Sequence, residues 1–174
     1  MKIYELITIN ILVILISIHV NAAGNGSKWL NATGWGVFTC SGQTESDRLA
    51  ECLCEAAIKN FPGRRIRTDF SDGDSDWEEQ FYILRKSWCP AVLTENFFMD
   101  NHSDLEYLQS RAGKQAVVDT HVEGMWSGYL CELKTRDDEV RIIRHPLLHE
   151  LLICVVFYIP LNFRLICLAH RLSE

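Results

Sequence analysis

The sequence predicts an α/β protein built on a mostly parallel sheet. Short apolar runs alternate with segments of helical period through the middle of the chain. One of those runs, residues 13–18 (Val-Ile-Leu-Ile-Ser-Ile), is rich in β-branched residues on both faces, as a strand covered on both sides requires. The chain has 174 residues, of which 48% are hydrophobic and 23% charged, so it can bury one ordinary core and is not a disordered polymer. Seventeen basic residues against twenty-three acidic ones give a net charge of −6, which excludes a general nucleic-acid binder. The seven cysteines contain no C-x-x-C pair, and their odd number rules out complete pairing within one chain.

Both ends are greasy. Residues 6–20 admit two readings that exclude each other. One is a secretory signal peptide cut near Ala22. The other is the buried strand, with Asn21 and Ala22 in the loop that leaves it. Residues 147–169 are apolar but interrupted by His149, Glu150, Pro160, Asn162 and Arg164. A transmembrane helix, a hairpin broken at Pro160 and a non-native tail all stay open there, so membrane association through this segment is one reading.

Between the ends, residues 44–60 read as a helix. Leu49, Cys52, Leu53, Ala56 and Ala57 form one apolar face, Thr44 and Asp47 form a capping box, and Pro62-Gly63 stop it. A short strand is expected at 65–68. Residues 69–76 are then a solvated acidic loop, because their Asp spacing fails the calcium-loop template. A helix over 77–87 should point Phe81, Leu84 and Trp88 inward. Residues 90–94 read as a buried strand ending at Glu95, where α/β proteins place chemistry; an acid tied up by backbone amides is the plain alternative. Ser103 and Glu106 form a capping-box pair for a turn through Leu108. The helix over 112–125 should bury Val118, Val122 and Met125, leaving His121 at the surface. His145 and His149 have i, i+4 spacing, for which packing or exposure is the default reading over metal binding.

Two segments carry a resemblance. Ser17-Ile18-His19-Val20-Asn21-Ala22-Ala23 and Cys89-Pro90-Ala91-Val92-Leu93-Thr94-Glu95-Asn96-Phe97-Phe98 resemble the paired signatures of zinc-dependent N-acetylmuramoyl-L-alanine amidases of bacterial and prophage type. Gly34-Trp35 and Gly42-Gln43-Thr44 add to it, and it runs from about residue 11 to 126. The resemblance implies helices on both faces of the sheet, a zinc ion held by two His and a Glu, and a catalytic Glu. Its implied reaction is hydrolysis of the amide between N-acetylmuramic acid and L-alanine of peptidoglycan. His19 matches a zinc ligand and Glu95 the catalytic carboxylate.

It also favours the strand over the signal peptide, since a cut near Ala22 would discard His19. The family's other zinc His and its zinc Glu lie upstream of the first signature. Residues 1–18 contain no His, and their only acid is Glu5. The expectation is therefore a family domain over 1–126, incomplete at the N-terminus and in its metal site, with 127–174 an unassigned tail. Peptidoglycan is the implied partner, at the cell envelope or outside the cell. A non-catalytic wall-binding remnant and a small membrane-associated protein are the competing readings, and poor solubility is expected.

Overall fold

A computed structural model describes residues 14–129. The order of elements is β1 (Leu15–Asn21), β2 (Trp35–Thr39), α1 (Glu45–Asn60), β3 (Trp77–Glu78), α2 (Tyr82–Lys86), β4 (Ala91–Phe98), α3 (His102–Gln109), α4 (Arg111–Glu123) and a π-helical turn, Gly124–Tyr129. The four strands form one sheet in the order β1-β4-β2-β3. β1 runs parallel to β4 and β2 parallel to β3, while β2 and β4 are antiparallel. The α/β class and the mostly parallel, mixed sheet agree with expectation.

Two apolar clusters lie on opposite faces of the sheet. The larger joins Ile14, Ile16, Trp35, Val37 and Val92 to Leu49 and Leu53 of α1 and to Met125 and Tyr129. The smaller joins Ala91 and Leu93 to Leu84 of α2, with Leu15 and Phe38 beside them. Residues 6–13 of the would-be signal peptide, and residues 130–174 of the tail with His145 and His149, lie outside the described residues. Among the described residues no helix is long and apolar enough to cross a membrane.

α1 follows its sequence closely. Thr44 caps it by accepting from Ser46 N, and the Asp47 carboxylate accepts from Thr44 N in return. Its predicted apolar face is buried throughout.

Other elements depart from their patterns. The strand expected at 65–68 is a single bridge from Ile66 to Trp35. The helix expected over 77–87 shrinks to Tyr82–Lys86, preceded by the short strand β3. Leu84 is buried there as predicted, but Trp88 and Phe81 are exposed, Phe81 with its ring against Phe38. α3 is capped by Asn101, whose side chain accepts from Asp104 N, so Ser103 lies inside the helix. α4 turns a different side inward from the one expected: Val118 and Val122 are 53% and 52% exposed while Thr120 and His121 are buried, and of the expected stripe only Met125 is buried. Adjacent Val117 and Val118 let the apolar period be drawn through either, and Val117 is the one that packs on the core. Gly124 and Gly128 let this segment press onto α1, because a Cβ on either would meet Leu53 or Cys52 at 2.8 or 2.7 Å.

β4 is longer than predicted and irregular. It continues past Glu95 to Phe98, so Glu95 sits within the strand and not at its end. His19 pairs with Glu95 and Asn21 with Phe98, so β4 spends three steps where β1 spends two. The extra residue is Phe97, whose φ of 64° is left-handed, an uncommon state for a bulky side chain, and whose ring is fully buried.

Candidate active site

The bulge decides which side chains face which way. Residues paired across a parallel ladder point to the same face, so His19 and Glu95 lie side by side there. On its other flank Glu95 faces Gly36 of β2, which puts no side chain beside it. Both sequence-predicted site residues therefore come together at one place in the sheet.

The two groups are half-buried. Burial pushes the Glu95 carboxyl up to about 7, against a smaller opposing pull from the Arg67 guanidinium. Its Oε2 is buried and has no hydrogen-bond partner among the described residues. Burial lowers the His19 imidazole below its ordinary value, so the ring is held neutral. Ser17 Oγ lies 2.8 Å from His19 Nε2, on the same face two residues back. A neutral imidazole beside a carboxyl that exchanges its proton near neutrality suits metal ligation and proton transfer.

On the reverse face a polar chain fixes the backbone under this pair. The Val117 carbonyl, 2.7 Å from His121 Nδ1, only accepts, so Nδ1 carries the proton. His121 Nε2 must then accept from Thr94 Oγ1, at 2.8 Å. The Thr94 oxygen accepts in turn from Asn96 Nδ2, at 3.2 Å. Asn96 Nδ2 also donates to the His19 carbonyl at 2.9 Å, and Asn96 Oδ1 accepts from Trp35 Nε1 at 3.0 Å. Every donor in the chain is assigned; three strands meet at Asn96, and α4 joins them through Thr94. His121 is thus not a surface residue; burial drives its pKa down to about 4 and keeps it neutral. Sequence reasoning passed over Asn96 and Thr94, which look like ordinary strand residues until the register is known.

Zinc requires more than the described residues offer. A catalytic zinc takes three protein ligands. Among the described residues no group of three His, Cys, Asp or Glu side chains is placed to hold a metal ion. His121 has both nitrogens engaged, and His102 stacks on Trp29. The donor set present does not fit a complete zinc centre.

The acidic loop holds a second correction. Asp74 and Asp76 are buried, not solvated. Asp76 Oδ2 accepts from Thr39 Oγ1, and Asp74 Oδ2 accepts from Gln43 Nε2 at 2.9 Å. Asp76 is pushed up to about 7 by burial first, then by the neighbouring Asp74 and Asp47 carboxylates. Thr39 closes β2, so this cluster lies at the opposite end of the sheet from Glu95, which pairs near the start of β2.

Comparison with known proteins decides the family. The sequence model for N-acetylmuramoyl-L-alanine amidases matches residues 5–127. The chain belongs to the N-acetylmuramoyl-L-alanine amidase family. It is 44% identical over 111 residues to the amidase CwlM of Bacillus licheniformis, covering 63% of this chain and 38% of that protein. It is 26% identical over 112 residues to an endolysin of Bacillus phage SPP1, covering 64% of this chain and 38% of the relative. Among solved structures, an N-acetylmuramoyl-L-alanine amidase from Clostridium difficile 630 superposes with a TM-score of 0.56 at 26% identity, over 71% of this chain and 59% of that one. AmiC2 of Nostoc punctiforme shares the fold, with a TM-score of 0.54 at 24% identity, over 70% of this chain and 58% of its own. The chain thus spans 38% of the length of each of these two curated relatives.

Proposed function

We propose that this chain is a peptidoglycan amidase domain that cleaves the amide between N-acetylmuramic acid and the L-alanine of the stem peptide, acting in the cell envelope or outside the cell. The observation that carries the reading is the in-register pair of His19 and Glu95 inside the region shared with the amidase family. Glu95 is the proton-transfer residue. With its pKa near 7 it takes a proton from the attacking water and returns it to the departing amine. Partial burial leaves the carboxyl reachable from one side, while Arg67 lies across the Gly36 flank.

His19 is a metal ligand, held neutral by burial and backed by Ser17. Among the described residues it offers one of the three ligands zinc needs, so these residues by themselves are expected to hold less than one zinc per molecule and to hydrolyse slowly. Zinc content and release of stem peptides from purified cell walls test both parts, with Glu95→Gln and His19→Ala beside the parent. Residual release should vanish in Glu95→Gln, and bound zinc should drop in His19→Ala. Release that survives Glu95→Gln refutes the assignment, and stoichiometric zinc in the parent refutes the incompleteness.

A further inference from the structure

The loop that joins β1 to β2 leaves the sheet directly after the site strand and is tied down along its length. The Asp100 carboxylate accepts from Ala23 N at 2.9 Å and from Gly24 N at 2.8 Å, and its carbonyl accepts from Leu30 N at 2.8 Å. The Asp104 carboxylate holds the far end, accepting from Thr33 Oγ1 at 2.8 Å and Gly34 N at 3.3 Å. The loop folds closely on itself at Gly24, where a Cβ would come within 2.7 Å of the tip of the Leu30 side chain.

This anchored loop holds one large aromatic out in water. Trp29 is 51% exposed, yet its ring is not loose: it stacks on His102 at the start of α3, with centroids 3.6 Å apart and planes 25° from parallel. Leu30 beside it is partly buried and turns the chain inward. A rigid indole with one face backed and the other open loses little conformational freedom when a ligand settles on it. The platform stands past the ends of β1 and β4, the same end of the sheet toward which His19 and Glu95 lie. Its surroundings, Asn25, Ser27 and Lys28, are exposed and polar, which suits a ligand with one apolar face and a hydroxylated rim.

We propose that the open face of Trp29, backed by His102, is a sugar-binding subsite that takes a pyranose ring of the glycan strand by its C–H face. The identity of the sugar rests on the amidase reading, because the glycan is the part of that substrate beyond the scissile amide. Stacking of an apolar sugar face on an indole requires no metal and no turnover, so the subsite can be tested apart from hydrolysis.

The test is binding of the full chain to the N-acetylglucosamine tetramer by calorimetry, and co-sedimentation with glycan strands stripped of peptide. Trp29→Ala should weaken both by about tenfold, Trp29→Tyr should restore part of the loss, and His102→Ala should weaken binding by about threefold. Thermal melts of each variant establish that it is folded. Equal binding by parent and Trp29→Ala overturns the subsite, as does a parent that binds only peptide-bearing wall and not bare glycan. Trp29-dependent binding without Glu95-dependent release keeps the subsite and refutes the amidase reading. Glu95-dependent release with Trp29-independent binding does the reverse.

Discussion

The two ends of the sheet each bury a carboxyl with a pKa near 7, and only one of them looks like a site. At one end Glu95 is half-buried, with Oε2 unpartnered among the described residues, beside an imidazole and a glycine flank that Arg67 covers. At the other, Asp76 is 1% exposed, bonded to Thr39 and crowded by Asp74 and Asp47. Desolvation raises both pKa values, but only Glu95 keeps exposed surface. A shifted pKa therefore marks burial, and access decides whether burial serves chemistry.

The sharpest way to break this contrast is Glu95→Gln. Amide hydrolysis should fall by about 100-fold or more, measured as stem-peptide release, while the melting temperature holds or rises. Next in size is Asn96→Leu, which takes partners from Trp35, Thr94 and the His19 carbonyl at once. It should cost about 2–4 kcal/mol in urea unfolding, because buried polar groups are left unsatisfied.

Smaller, and at the closed end, is Asp76→Asn. The folded-state pKa is raised from 3.8 to about 7, so above pH 4 the unfolded chain releases a proton that the folded chain retains. Stability then declines as pH rises from about 4 to 7 and levels off above. Asp76→Asn should remove this contribution, stabilising the protein by about 1–2 kcal/mol at pH 8 and hardly at all at pH 4, as read from denaturant curves at both pH values. A variant that flattens nothing would show that Asp76 is already ionised in the folded chain.

Legibility in the sequence followed the same divide. α1 could be read residue by residue, because capping chemistry and helical period are local. His19 and Glu95 stood out through their paired signatures, but nothing local indicated that they share a ladder rung. β2, only five residues between Gly34 and Cys40, left too short a pattern to be read as a strand. The acidic loop misled because free aspartates prefer water, and its burial arises only when it folds back against Thr39 and the start of α1. His121 misled because the neighbouring valines permit two helix phases, and tertiary packing chose the one that buries it.

The slip at Phe97 also acts as a ruler. By adding one step to β4 it sends Asn96 and Phe97 in succession into the helix-covered side and returns Phe98 to the side of Glu95, where Arg67 lies 5.2 Å from its ring centroid. The same step sets how far the chain has travelled when Asp100 meets the amides of Ala23 and Gly24. Losing a single residue between 96 and 99 would therefore dislocate three things at once: the polar brace under His19, the ring facing Arg67, and the clasp that holds the tryptophan loop.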